Sequence, residues 1–244
     1  MERIIERTDD GSATLFVPEL NEHYHSTKGA RTESQHIFID MGLKASPAAT
    51  PRVLEIGFGT GLNAWLTLEE AERSRRNIHY IGLELYPLDW QTVEQLGYIS
   101  SDEQLTIHRK QTTTDEQFTP NEEEQQPAIE LFKQLHTSPW EKDVQLTPHF
   151  TLRKIETDVN KWRVENSPFN LVYFDAFAPE KQPEMWSQEL FNRLYVLLDR
   201  DGILTTYCAK GVVRRMLQTA GFTVERLPGP PGGKREILRA RKQE

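Results

Sequence analysis

The fold of this chain is decided by the stretch Val53-Leu54-Glu55-Ile56-Gly57-Phe58-Gly59-Thr60-Gly61-Leu62-Asn63. It begins as a short apolar run, which is typical of a buried strand in a parallel sheet. Three glycines at alternate positions then interrupt the run, and apolar residues with helical spacing follow. A glycine turn between a strand and a helix brings backbone N–H groups and a helix N-terminus close to a ligand. The stretch therefore predicts a ligand-binding strand–turn–helix unit.

The glycine spacing separates this turn from two phosphate-binding loops. It is G-x-G-x-G, whereas a dinucleotide-binding loop has G-x-G-x-x-G and a P-loop ends in Gly-Lys-Ser/Thr. About 20 residues beyond the turn, the apolar run at 78–83 ends in Glu84, where nucleoside-binding α/β folds place a carboxylate on ribose hydroxyls. We expect Glu84 to bind ribose, although an acid at a strand end can also face water.

Strands and helices alternate along most of the chain, which predicts a mostly parallel α/β sheet. Residues 150–158 alternate like a strand and end in Asp158, a candidate N-cap for a helix from residue 159. Residues 170–174 form a buried strand that ends in Asp175, at the edge of the sheet where open α/β folds bind ligands. A strand at 203–208 after a turn at 201–202, a helix at 210–220 and two closing strands at 222–227 and 235–240 complete the prediction.

Two aromatic residues follow Asp175 in the same loop. Phe177 and Trp186 can each stack on a base. Trp186 is equally well placed to be a core residue of the next helix. The sequence leaves both roles open for Trp186.

Two regions depart from the strand–helix alternation. Residues 1–50 contain an expected edge strand at 12–17 and then a loop rich in hydrogen-bonding groups, interpreted as a lid over a ligand pocket or an ordinary surface loop. Between 86 and 148 we predict helices at 88–96 and 128–135, with loops at 112–117 and 120–127. We therefore divide the chain into an N-terminal strand and lid segment, 1–50, and a domain, 51–244, with a helical insertion at about 86–148.

Composition excludes several classes of protein. The chain has 244 residues, and no apolar run approaches the ~20 residues of a membrane span. The N-terminus lacks a signal-peptide pattern, so we expect a cytoplasmic protein without membrane contact. A single cysteine, Cys208, excludes an internal disulfide and a cysteine-cluster zinc site. His23 and His25 alternate in an extended segment without a helical ligand motif, so we expect no metal.

Charge is segregated along the chain, whose net charge is -8. Acidic residues predominate from 102 to 143, and basic residues predominate from 201 to the end. A basic C-terminal part can hold an anionic substrate. A solvated helix face and an irregular tail explain the pattern as well.

Further motifs carry a family resemblance. Glu55 completes an E-x-G-x-G-x-G pattern that resembles motif I of class I S-adenosylmethionine-dependent methyltransferases. The longer motifs are Tyr24-x-Ser26-x-x-Gly29-x-x-x-Glu33-Ser34, Asp175-Ala176-Phe177-Ala178-Pro179, Lys181-x-Pro183-Glu184-Met185-Trp186, Gly211-Val212-Val213-Arg214-Arg215-x-Leu217-Gln218-x-Ala220-Gly221-Phe222 and Gly233-Lys234-Arg235-Glu236. Together they resemble the methyltransferase domain of the bifunctional tRNA wobble-uridine modification enzyme MnmC and its stand-alone form, MnmD. The resemblance runs from about Tyr24 to Leu238. The proline-rich loop at 228–232, and Ile237 where methionine is expected, depart from the pattern.

The resemblance implies a fold and a reaction. The fold is a Rossmann-like class I methyltransferase sheet, mostly parallel with the last strand antiparallel, with helices on both faces. The reaction is methylation, by S-adenosylmethionine, of the aminomethyl nitrogen of 5-aminomethyl-(2-thio)uridine at the tRNA wobble position, giving 5-methylaminomethyl-(2-thio)uridine. The bifunctional enzyme also has a flavin-dependent oxidase domain. We expect neither that domain nor flavin in this chain.

The resemblance also implies roles for individual residues. Asp175 is expected to orient the amine and to accept or relay its proton. Asp158 is expected to meet the adenine amino group, a role compatible with an N-cap. The expected cofactor-binding residues are Tyr24, Glu33, Glu55, Gly57, Gly59, Gly61, Asn63, Glu84 and Asp158. The expected substrate and RNA contacts are Phe177, Lys181, Lys210, Arg214, Arg215, Lys234 and Arg235.

Two alternative functions share this fold. An aminopropyltransferase of the spermidine-synthase type also has an acid after the fourth strand, but its glycine loop normally carries an acidic residue, which Phe58 and Thr60 do not provide. A non-catalytic tRNA-binding module is the other alternative. The acids Glu55, Glu84 and Asp175 argue against it.

Overall fold

An eight-stranded sheet forms the centre of the molecule. The structure is a computed structural model and describes residues 2–9, 11–109, 122–163 and 168–243. In chain order the strands are β1 (Ile4–Arg7), β2 (Ala13–Val17), β3 (Glu22–His23), β4 (Arg52–Ile56), β5 (Ile78–Glu84), β6 (Gln104–Arg109), β7 (Glu122–Pro127), β8 (Asp143–Thr147), β9 (Phe150–Glu156), β10 (Phe169–Phe174), β11 (Leu198–Thr206), β12 (Thr223–Pro228) and β13 (Glu236–Arg241). The α-helices are α1 (Ala30–Ser34), α2 (Leu62–Ser74), α3 (Trp90–Glu94), α4 (Ala128–Thr137), α5 (Gln188–Leu197) and α6 (Gly211–Ala220).

The predicted sheet is confirmed. Its strand order is β12-β13-β11-β10-β4-β5-β9-β8. The five strands from β11 to β9 run parallel, and β13 is antiparallel to both β11 and β12. The opposite edge strand, β8, is also antiparallel to its neighbour β9, a feature that the sequence did not indicate. The carboxyl ends of β4, β5, β9, β10 and β11 therefore meet at one edge.

Helices cover both faces of the sheet. Successive side chains of a strand point to opposite faces, so each buried strand contributes apolar side chains to both. In β4, Val53 packs into one hydrophobic cluster, together with buried residues of α2 and α4. Leu54 and Ile56 pack into the other cluster, with buried residues of α5 and α6. Both clusters consist of buried apolar side chains, so β4 and β10 lie between two layers of helices.

The insertion differs from its prediction. The two predicted helices are present as α3 and α4, but residues 122–127, predicted as loop, form strand β7. β7 pairs antiparallel with β6 to form a separate two-stranded sheet. The polar run in β7 has no apolar alternation, so only its pairing with β6 makes it a strand. The predicted loop at 112–117 lies outside the described residues.

The N-terminal segment also needs correction. β2 was predicted as an edge strand, but it lies between β1 and β3 in its own three-stranded sheet. Four of its five residues are buried. The same N-terminal segment also contains a π-helical stretch, Gln35–Asp40, and a 3₁₀ turn, Leu43–Ala45.

Two boundaries in the second half of the chain were also predicted wrongly. Residues 159–161 form a turn rather than the start of a helix. Strand β11 begins at Leu198 and continues through the expected turn at 201–202, where Asp201 has a φ of 60°. Among the described residues, none of the helices is long and apolar enough to cross a membrane.

Candidate active site

A cavity of about 850 Å³ opens at the carboxyl edge of the parallel strands. The glycine turn after β4, the ends of β5 and β10 and the loop after β11 contribute to its wall. Residues 22–27 of the N-terminal segment and the loop before β13 line it as well. The cavity therefore lies where the strand order predicts a ligand site.

The cavity brings together most of the expected site residues. Those that line it are Tyr24, Glu33, Gly57, Gly59, Asn63, Glu84, Asp158, Asp175, Phe177, Lys210, Lys234 and Arg235. Five others are not part of the lining, namely Glu55, Gly61, Lys181, Arg214 and Arg215. Glu55 lies behind Asn63 and is 0% exposed.

The glycines of the turn allow close approaches that side chains would block. Gly57 has a φ of 88°, and a Cβ there would lie 2.8 Å from the carbonyl oxygen of Asp175. Gly61 has a φ of 70°, and a Cβ there would lie 2.6 Å from Nε2 of His136 on α4. Gly57 therefore lets the ends of β4 and β10 meet, while Gly61 lets α4 pack on the turn.

Glu84 is fixed by backbone donors at the end of β5. Its Oε2 accepts the N–H of Gly59 at 2.8 Å. Its Oε1 accepts the N–H groups of Leu85 and Tyr86 at 3.0 and 2.9 Å. These bonds hold the carboxylate against the glycine turn and the cavity.

Asn63 links two carboxyl groups at the start of α2. Its Nδ2 donates to Oε1 of Glu55 at 2.9 Å and to Oδ2 of Asp175 at 2.8 Å. Burial raises the pKa of Glu55 well above its usual value, while the hydrogen bond from Asn63 acts in the opposite direction. Burial therefore favours the neutral form of Glu55, which accepts the hydrogen bond from Asn63 on the side away from the cavity.

Asp175 combines a strand-end position with an unusual pKa. Burial raises the pKa of its carboxyl group to about 7. The hydrogen bond from Asn63 lowers this pKa, Glu33 raises it and Lys234 lowers it. A partly buried carboxylate with this pKa can exchange a proton near neutral pH.

The N-terminal segment and the loop before β13 meet at the cavity. Lys234 Nζ donates to Oε1 of Glu33 at 3.0 Å and lies 3.8 Å from the ring centroid of Tyr207. Oε2 of Glu33 accepts the N–H of Ser26 at 3.0 Å. The Tyr24 ring meets the Phe177 ring edge-on at 5.1 Å. The contact between Lys234 and Glu33 joins residues that are 201 positions apart in the sequence.

Some expected residues have other partners. Lys210 forms an ion pair with Glu180 at the cavity rim. Trp186 is buried, and its Nε1 donates to the carbonyl of Phe177 at 2.8 Å, so this tryptophan is a core residue. Oδ1 of Asp158 accepts the N–H of Asn160 at 2.9 Å within the turn. Among the described residues, no cluster of three or more histidine, cysteine or acidic side chains can hold a metal ion.

Sequence reasoning missed several lining residues. Tyr207 carries Lys234 on its ring, and its hydroxyl donates to the carbonyl of Ala176 at 2.8 Å. His25 is buried, and its Nε2 lies 2.7 Å from Oγ1 of Thr60 in the glycine turn. Burial lowers the pKa of His25 to about 4, so it is neutral. Ser26 belongs to one of the motifs of the family resemblance. No local sequence pattern indicates that Tyr207 and His25 line the cavity.

Comparison with known proteins identifies the class. The model of a family described as S-adenosyl-L-methionine-dependent methyltransferase matches residues 122–243, half of the chain. The chain belongs to the S-adenosyl-L-methionine-dependent methyltransferase family.

The named relatives agree with the resemblance drawn from the motifs. A protein of Cupriavidus metallidurans named tRNA 5-methylaminomethyl-2-thiouridine biosynthesis bifunctional protein MnmC is 29% identical over 99% of this chain and 35% of the relative. A protein of the same name from Magnetococcus marinus is 30% identical over 93% of the chain and 32% of the relative. The chain spans about a third of the length of these curated relatives. The resemblance to the MnmC methyltransferase domain is thus confirmed.

Solved structures share the fold. The structure of MNMC2 from Aquifex aeolicus superimposes with a TM-score of 0.70 at 25% identity, covering 98% of this chain and 70% of the other. Spermidine synthase from Thermotoga maritima gives a TM-score of 0.52 at 13% identity, covering 98% of this chain and 72% of the other. This second likeness shows the fold alone.

The residues of the cavity fit the cofactor that the family uses. Gly57 and Gly59 line the cavity without side chains, so the backbone of the turn is bare there. Glu84 offers carboxylate oxygens at the second strand end, which suits ribose hydroxyls. The acids that line the cavity suit a sulfonium cation, and its volume lies in the range of small-molecule sites.

Proposed function

We propose that this chain methylates the exocyclic amine of 5-aminomethyl-(2-thio)uridine at the wobble position of tRNA. The observation that carries this proposal is the alignment of 99% of the chain with a protein named for 5-methylaminomethyl-2-thiouridine biosynthesis. Asp175 at the cavity wall supports it, because an amine acceptor needs a group that holds and deprotonates it. The product is the 5-methylaminomethyl nucleoside.

Asp175 is proposed to orient the amine and to take up or relay its proton. A primary alkylamine has a pKa near ~10.4, so it enters the cavity mostly as an ammonium ion. Its lone pair becomes available only after the proton leaves. Bound S-adenosylmethionine would supply the methyl group as part of a sulfonium ion.

The raised pKa of Asp175 reduces the free energy of this proton transfer. Its value of about 7, rather than the usual 3.8, lies closer to that of the amine. At about 1.4 kcal/mol per pKa unit, the transfer becomes easier by about 4 kcal/mol. An ionised carboxylate alone would favour the ammonium form, so burial offsets part of that attraction.

The cofactor roles proposed for the lining residues follow from their chemistry. Glu84 would accept hydrogen bonds from the ribose hydroxyls, and Asp158 from the adenine amino group. Asn63, Tyr24 and Glu33 would surround the amino-acid end. Glu55 would act through Asn63, since it does not line the cavity. Residues 22–27 would form the lid over this site.

The tRNA would bind at the basic rim. Lys210, Lys234 and Arg235 line the cavity and would approach the nucleoside and its phosphates. Arg214 and Arg215 on α6, with Lys181, would contact the backbone farther out. Phe177, at the wall, would stack on the uracil ring.

The reaction is tested by incubating the protein with labelled S-adenosylmethionine and tRNA that carries 5-aminomethyluridine. Digestion of the tRNA should release labelled 5-methylaminomethyluridine. Asp175→Asn should remove most of the activity while S-adenosylhomocysteine still binds. Absence of the methylated nucleoside would refute the activity, and a fully active Asp175→Asn protein would refute the role of Asp175.

The same assay with decarboxylated S-adenosylmethionine and a polyamine tests the aminopropyltransferase alternative. A protein that binds tRNA but transfers no group would be the non-catalytic module.

The RNA surface is tested by charge reversal. Arg214→Glu with Arg215→Glu should weaken tRNA binding and reduce the slope of log K against log salt by about 1 for each lost phosphate contact. Arg200→Glu is the matched control, since Arg200 is exposed near the amino end of β11, away from the cavity. An unchanged affinity and slope in the double variant would refute the surface.

A further inference from the structure

The turn at residues 158–162 forms one wall of the cavity through Asp158 and Val159. Within the turn, the carbonyl of Asp158 accepts the N–H groups of Lys161 and Trp162, both at 2.9 Å. The N–H of Asn160 donates to the Asp158 side chain. The N–H groups of residues 160–162 are therefore all hydrogen-bonded within the turn. These bonds leave the carbonyl groups of the later turn residues in need of donors.

Arg193 on α5 supplies these donors. Its Nη2 donates to the carbonyl of Val159 at 2.6 Å and to that of Trp162 at 3.2 Å. Its Nη1 donates to the carbonyl of Asn160 at 3.0 Å. A planar guanidinium can reach three acceptors in fixed directions, whereas lysine has a single ammonium group. One side chain from a neighbouring helix thus fixes the path of the turn.

The other contacts of the turn hold it less directly. The N–H of Thr157 donates to the carbonyl of Glu84 at 2.9 Å, which ties only the entry of the turn to β5. Nδ2 of Asn160 reaches the carbonyl of Glu184 at 3.3 Å. Arg163 donates to the same carbonyls of Asn160 and Trp162, both at 2.8 Å, but it is exposed and belongs to the end of the turn itself. Arg163 therefore cannot fix the turn relative to the sheet.

Arg193 carries a positive charge beside the turn. Burial lowers the pKa of Arg193, Arg163 adds to this effect, and Glu189 and Asp158 oppose it. An arginine remains charged in a protein despite such a shift.

We propose that Arg193 is a positioning residue for the nucleoside end of the cofactor. By holding three carbonyls, it keeps Asp158 and Val159 at the cavity wall, where the adenine ring is expected. The inference rests on the family's cofactor and on the adenine contact proposed for Asp158. It is independent of the tRNA substrate.

Binding of S-adenosylhomocysteine tests this proposal without any tRNA. By isothermal titration calorimetry, Arg193→Met should raise the Kd about tenfold, the equivalent of about 1.4 kcal/mol. Arg193→Lys keeps the positive charge but loses the planar guanidinium that reaches three carbonyls. It should raise the Kd by a smaller factor than Arg193→Met does. Arg163→Met removes bonds to two of the same carbonyls and should leave the Kd unchanged.

A double-mutant cycle separates positioning from a general structural role. If Arg193 acts through Asp158, the losses in Arg193→Met and Asp158→Ala should not add in the double variant. In the methyltransferase assay, Arg193→Met should raise the KM for S-adenosylmethionine and leave kcat and the KM for tRNA unchanged. An unchanged Kd in folded Arg193→Met, or additive losses in the cycle, would overturn the proposal. Normal binding behaviour without tRNA methylation would refute only the proposed function.

Discussion

Replacing Asn63 by alanine should move the pH dependence of methyl transfer to higher pH. Nδ2 of Asn63 donates to the Asp175 carboxylate at 2.8 Å and lowers the pKa of that group, which is about 7. A hydrogen bond to a charged group contributes about 1.5–3 kcal/mol, which corresponds to about 1–2 pKa units. Without it, the pKa of Asp175 should rise to roughly 8–9. Because the proposed base must be ionised, activity at pH 7 should fall about 5- to 50-fold and recover towards pH 9.

The assay is kcat/KM for the tRNA substrate between pH 6 and 10, with S-adenosylmethionine saturating so that changes in cofactor affinity do not enter. Asn170→Ala is the matched control, since Asn170 lies at the opposite end of β10 and its Oδ1 accepts the N–H of Arg52 at 2.9 Å. This control should lose some stability and keep the wild-type pH profile. If the acidic limb of a folded Asn63→Ala enzyme stays in place, Asn63 does not control the titration of Asp175.

Three further predictions concern buried groups around the site. Glu55→Gln should keep its melting temperature and activity at pH 7, because burial favours a neutral group at this position and glutamine still accepts the hydrogen bond from Asn63, whereas Glu55→Leu should lose about 1–3 kcal/mol of unfolding free energy; equal losses in both would contradict this. Gly57→Ala should lose about 3 kcal/mol of unfolding free energy in urea, and the control Gly97→Ala only about 1–2 kcal/mol. Both glycines have a positive φ, but only at Gly57 would the added Cβ clash, 2.8 Å from the Asp175 carbonyl oxygen. Similar losses in the two variants would refute an effect of this clash. Burial lowers the pKa of Lys154 to about 8, below the 10.5 of an exposed lysine, so the unfolded chain binds more protons in that interval and stability rises with pH. Lys154→Met removes this titration, so its stability relative to the wild type should be about 3 kcal/mol more favourable at pH 7 than at pH 10.5, and a difference from the wild type that is equal at both pH values in thermal melts would exclude this cause.

Local sequence was sufficient to predict the central strands and the position of the site. β4, β5 and β10 are buried apolar runs, and their ends carry the glycine turn, Glu84 and Asp175. Parallel strands place their carboxyl ends at one edge, so these groups had to lie close together. By contrast, β7 was predicted as loop because its polar residues carry no alternation of their own. It becomes a strand only through pairing with β6.

The sequence by itself determined the family, the sheet and the acids around the cavity, because each follows from a local pattern or a spaced motif. Only the tertiary structure decided which of these groups act together. Glu55 and Asp175 are 120 residues apart, and a single amide, Asn63, joins them. Arg193 reaches the turn after β9 from a helix about 30 residues further along the chain. Such contacts depend on how strands and helices pack in three dimensions, and burial then sets the pKa of each group, so no local pattern can reveal them.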